Sequence, residues 1–123
     1  AIEAESAALA AARRTPAQLR EIRDCLDRRA RDAPLDEHVD DDLAFHRSVI
    51  AAAGNPILAE LFDGFTPRVR QAMLDLLRAR RDFDSAADHD AHARLAEAIA
   101  ARRPDEAARL SRTHLESLKE GLA

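Results

Sequence analysis

Residues 40–50 read DDDLAFHRSVI, and the order of polar and apolar side chains in this stretch decides the fold class. Wound as a helix, it brings Phe45, Val49, Ile50 and Ala53 to one side, at the three- and four-residue steps of a helix with one buried face. Asp42 and His46 share that stripe, about 40° apart around the axis and on adjacent turns. A carboxylate and an imidazole drawn toward a core need partners, because burying either one alone is costly. Either the two satisfy one another, or something held between helices satisfies both.

Reading outward, this helix covers roughly residues 36 to 53. Gly54 stops it, and Asn55-Pro56 caps and begins the next. Leu58, Leu61, Phe62, Phe65, Val69, Met73 and Leu76 then form a continuous apolar band, with Gly64 and Pro67 expected to kink the helix that carries it. Upstream, a first helix runs to about Arg13. Thr15-Pro16-Ala17-Gln18 reads as an N-cap, a proline at the first helical position and a capping-box glutamine. The second helix reaches about Arg31 with Leu19, Ile22, Cys25 and Leu26 at helical spacing, and Pro34 breaks it. Downstream, Ser85-Ala86-Ala87-Asp88 opens a fifth helix that ends near Arg102. Pro104 starts a sixth, which Gly121 closes. No period-two strand pattern interrupts the series. The expected fold is all-α, an antiparallel bundle of about six helices joined by short loops.

The bulk properties agree. The chain has 123 residues, 46% hydrophobic and 34% charged, enough for one domain with one core. It is rich in Ala, Leu and Arg, which favour helix. Its net charge of −4, with arginines interspersed among acids, argues against a grip on nucleic acid by this segment. The single Cys25 excludes an internal disulfide and reads as a core residue rather than a nucleophile. No apolar run is long enough to span a membrane. The chain opens on Ala inside an uncapped helix, which reads as a fragment of a longer protein.

The five histidines are placed unequally. His46 lies on the buried stripe of the third helix. His92 shares its stripe with Leu95, Ala96 and Ile99, and His114 lies four residues from both Leu110 and Leu118. Three helices therefore each turn a histidine toward the core, one with Asp42 a turn away. These are either packed, satisfied polar groups or the ligands of a metal held between facing helices. Asp40, Asp41 and His38 are expected at the surface; His89, one turn before His92, either supports the cluster from behind or is exposed, and exposure is the expectation.

The ordered segments Asp42-Leu43-Ala44-Phe45-His46, Ala52-Ala53-Gly54-Asn55-Pro56, His92-Ala93-Arg94-Leu95-Ala96-Glu97-Ala98-Ile99 and His114-Leu115 resemble the signature of the FCD domain. That is the C-terminal effector-binding domain of FadR-subfamily regulators of the GntR type. The first helix, with Glu3 and Leu9-Ala10-Ala11, is similar to the family's own, and the likeness covers essentially residues 1–123. The resemblance implies a helical bundle that binds a small organic acid. It also implies a divalent metal, most often zinc, with nickel or manganese as alternatives, held by Asp42, His46, His92 and His114. It further implies a cytoplasmic bacterial transcription regulator, a homodimer whose winged helix-turn-helix domain, absent here, makes the contact with DNA. An arginine that many members carry early in the first helix would lie just upstream of residue 1.

For the acid's second contact, Arg68 is the candidate, because its planar fork suits a carboxylate and it borders the apolar band near Leu61, Phe65 and Ala72. The expectation is a sensor rather than an enzyme. The rival is a metal-dependent hydrolase, with Glu97 or Glu116 as general base; both sit off the histidine stripes. A purely structural helical module is the third reading, and the absence of bound metal would favour it.

Overall fold

Helix-forming composition and clear stop signals give six helices in the computed structural model, which describes residues 2–80 and 83–120, with side chains up to residue 114. They are α1 (Ile2–Arg13), α2 (Pro16–Arg29), α3 (Leu35–Ala52), α4 (Pro56–Ala79), α5 (Ser85–Ala100) and α6 (Pro104–Glu120). No strand occurs among the described residues. Gly121 and its expected helix stop lie outside them.

The local signals act as their chemistry dictates. Thr15 caps α2 and exchanges side-chain and backbone bonds with Gln18 in a full capping box. The Asn55 side chain accepts from the Ile57 amide at the start of α4. Gly54 takes φ +69°, the left-handed turn that ends α3. α2 ends at Arg29, two residues short of the expected Arg31. α5 opens at Ser85 as expected, and Asp84 caps it, its carboxylate accepting from the Ala87 amide. α4 runs on through Gly64 and Pro67 as one helix of 24 residues. α5 ends at Ala100, and Arg102 takes the left-handed φ of +56° that turns the chain into α6.

Small side chains govern the packing. Ala4, Ala7, Ala10 and Ala11 are almost wholly buried, so α1 can lie close against α6, its principal neighbour, and also against α3 and α5. α2 packs on α3 and α5. The main core joins Ala10 and Ala11 to Ile22, Cys25, Phe45, Val49 and Ile99 from α2, α3 and α5. Phe45, the pivot of the opening stretch, is completely buried. α4 rests on α3 through Val39, Leu43 and Leu74. Ile57, Leu61, Phe65 and Val69 on α4 remain 40–66% exposed.

Candidate metal centre and effector cavity

The stripes foreseen on α3, α5 and α6 meet. Nε2 of His92 lies 3.0 Å from Oδ1 of Asp42 and 3.2 Å from Nε2 of His46. Nε2 of His46 is 3.5 Å from Oδ2 of Asp42. The His114 ring stands 4.7 Å from that of His92 and 6.5 Å from that of His46, centre to centre. The donor atoms of His46, His92 and His114 all lie within 4.8 Å of one another, and so do those of Asp42, Asp88 and His92. The four side chains singled out in the sequence thus belong to two overlapping groups that share His92.

Tautomers decide what this cluster can hold. Nδ1 of His92 sits 2.7 Å from the backbone carbonyl of Asp88, an atom that only accepts. Nδ1 therefore carries the proton, and a neutral His92 presents a bare lone pair at Nε2. That lone pair faces a carboxylate oxygen and a second imidazole nitrogen at hydrogen-bond distance. Such an arrangement needs a cation or a shared proton at its centre. The separations of 3.0 and 3.2 Å are close to the value of about 3.3 Å between neighbouring ligands of a tetrahedral ion with bonds near 2.0–2.1 Å. The residues present fit a divalent cation.

Without a cation the proton resides on His46. Burial opposes its charge, but Asp42 and Glu3 outweigh burial and push the imidazole up to about 10. Burial would likewise raise the carboxyl of Asp42; the charged His46 beside it overcomes burial and holds the group well below the usual range. Glu3 is lowered in the same way by its bond to His46, Nδ1 to Oε2 3.5 Å. The His114 imidazole is pushed down, chiefly by burial.

Three partners of the cluster were not foreseen. Arg29 on α2 is buried, donating to Oδ1 of Asp42 from Nε at 3.2 Å and from Nη2 at 3.0 Å. Its Nη2 also reaches Oδ2 of Asp88 at 2.6 Å, and its Nη1 donates to Nδ1 of His89 at 3.0 Å. Asp88 and Glu3 are the others. Periodicity carried a signal for each. Arg29 lies three, four and seven residues after Leu26, Cys25 and Ile22, on the buried side of α2; Asp88 precedes His92 by one turn; Glu3 lies four before Ala7.

A cavity of about 330 Å³ opens beside the cluster, lined at one end by Glu3, Asp42, His46, Asp88 and His114 and elsewhere by α4. His38, expected at the surface, is half-buried and lines it as well. His89, expected to be exposed, is half-buried because Arg29 draws it in. Asp40 is exposed as expected and pairs with Arg70 at 2.7 Å; Asp41 is half-buried. Arg68 is exposed and is not among the cavity's lining residues. Helical steps of about 100° explain this: the lining residues Phe62, Thr66, Val69 and Met73 share one side of α4, while Arg68 stands with Leu61 on the other flank of the same band. Glu97 is exposed beside Arg23, 3.7 Å away, and the side chain of Glu116 lies outside the described ones. Cys25 is buried in the core, its thiol pushed up by burial and by Glu21.

No described helix is long and apolar enough to cross a membrane. A comparison with curated proteins found no match. Among family models, the FCD domain matches residues 1–117.

Proposed function

The chain belongs to the FCD domain family, and from that premise we propose that it is the effector-sensing domain of a bacterial transcription regulator, of the GntR type and its FadR subfamily. Asp42, His46, His92 and His114 would hold one divalent cation, zinc first, with nickel or manganese as alternatives. When bound, that cation would act as a Lewis acid able to hold a small carboxylate effector. The observation that carries this reading is Nε2 of His92 set 3.0 Å from Asp42 and 3.2 Å from His46. Around it, Arg29 keeps Asp42 aimed at the cluster, and Glu3 orients His46 through Nδ1. Arg68, exposed and outside the lining, would meet the acid only from outside the cavity.

In the parent regulator, a winged helix-turn-helix domain outside this chain reads DNA as a homodimer in the cytoplasm. Effector binding biases two arrangements of that dimer, which requires different affinities for the two. The domain senses and does not catalyse.

Elemental analysis and melting test the proposal together. One equivalent of zinc per chain is expected. Chelation lowers the melting temperature and added zinc restores it, because a ligand of the native state stabilises it by mass action. His46→Ala, His92→Ala and His114→Ala each weaken zinc binding by at least tenfold; His38→Ala does not. A chain free of metal, with melting indifferent to a strong chelator, refutes the centre. Ester hydrolysis lost on chelation would instead favour the hydrolase.

A further inference from the structure

The cavity has two chemically distinct ends, and together they specify its occupant. At the cluster end stand Glu3, Asp42, His46, Asp88 and His114. The rest is built largely from Leu43, Phe62, Val69, Met73, Leu76 and Leu77. No Arg or Lys lines it among the described residues. The guanidinium of Arg29 is committed behind the cluster to Asp42 and Asp88. Thr66, the one hydroxyl in the lining, donates to the Phe62 carbonyl at 2.7 Å.

Charge balance then limits the ligand. The three carboxylates Glu3, Asp42 and Asp88 are offset by Arg29 and one divalent cation, leaving the polar end neutral with neutral histidines. One further carboxylate would be held there by direct bonds to the cation rather than by surplus charge. A second would have neither such a bond nor an Arg or Lys, and would face a wall that is apolar apart from His38 and Thr66, where an unpaired ion is costly. The volume of about 330 Å³ admits on the order of ten non-hydrogen atoms, at about 30 Å³ for each water-sized group.

We propose that the effector is an amphiphilic monocarboxylate, an aliphatic or aryl-alkyl acid, with its head at the His46–His114 end and its body along α4. A hydroxylated polyacid is excluded. This rests on the metal-and-carboxylate reading above and narrows it to a ligand class.

Calorimetric titration of the zinc-loaded chain with octanoate, citrate and 1-octanol tests the class. Octanoate is expected to bind once per chain, at least tenfold tighter than either citrate or 1-octanol. Val69→Gln, at a site already 42% exposed and so tolerant of a polar side chain, lowers octanoate affinity at least fivefold and leaves zinc content unchanged. Citrate binding as tightly as octanoate, with zinc present, overturns the ligand class and leaves the metal centre standing. Absence of zinc by elemental analysis overturns the reading beneath it, and both fall. Octanoate binding at several sites per chain, or sedimentation showing a second copy that octanoate must displace from this face, also overturns the proposal.

Discussion

His46 is held between two carboxylates, Asp42 on its own helix and Glu3 on α1, and its proton is the counterpart of the cation the cluster can take. Its folded value of about 10 lies above the ordinary 6.5. A raised histidine contributes stability that is complete below the unfolded value and is lost as pH climbs through the folded one. The metal-free chain is therefore expected to lose melting temperature steadily from pH 6.5 to pH 10. The zinc-loaded chain loses less, since the ion takes the place of the proton. Scanning calorimetry of both forms across that range checks it; a metal-free chain that is flat from pH 6.5 to 10 contradicts it. Arg29 is the second critical residue. Arg29→Met leaves Asp42 and Asp88 buried without their cation, which costs about 3–5 kcal/mol, read from urea unfolding of the metal-free chain. Asp42, His46, His92 and His114 were legible because each breaks an apolar stripe. Arg29 obeyed the same rule but sits in the run Asp27-Arg28-Arg29-Ala30-Arg31, whose charge density reads as solvated surface. A periodic reading that ranks charges by face rather than by neighbourhood would have found it.

At the scale of elements, arginines close helix ends, at α3 alongside the Gly54 turn. Nη2 of Arg14 donates to the Ala100 carbonyl at 2.6 Å, at the last residue of α5. Nη1 of Arg13 donates to Ala53 at 3.1 Å, just past α3, and Nη2 of Arg102 donates to Arg14 at 3.1 Å, just past α1. Cations at these positions satisfy orphan carbonyls and face the negative end of the helix dipole. Arg14→Ala is expected to cost about 1–2 kcal/mol, as a partly buried, charge-assisted bond, while Arg20→Ala on the exposed side of α2 changes unfolding by less than about 0.5 kcal/mol. Equal effects would remove the capping role. Caps formed by near neighbours, Thr15 with Gln18 and Asn55 with Ile57, could be read in advance because both partners lie within four residues. The arginine caps could not, because residues 14 and 100 meet only once α1 and α5 are packed.

Across the whole molecule, five helices converge on the polar cluster: α1 through Glu3, α2 through Arg29, α3 through Asp42 and His46, α5 through Asp88 and His92, and α6 through His114. α4 contributes none of these groups. It packs chiefly on α3, keeps Ile57, Leu61, Phe65 and Val69 half-exposed, and meets the cluster only as the far wall of the cavity. Local stability follows buried contact, so α4 should open more readily than the helices around the cluster. The two ligands then act on different parts of the fold. Zinc ties together groups already joined through Arg29, and is expected to slow amide exchange in α3 and α5, where three of the four proposed ligands sit. A monocarboxylate bridging the cluster to Val69 and Met73 should add protection in α4, by tenfold or more at saturation, because only it spans the cavity. Exchange mass spectrometry of the metal-free, zinc-loaded and zinc-plus-octanoate chain separates the two effects. Protection of α4 by zinc alone would mean that the helix is coupled to the cluster without a ligand. In that case effector binding could not be what moves it, and the route from the cavity to the proposed dimer arrangement would have to run through α3 or α5 instead.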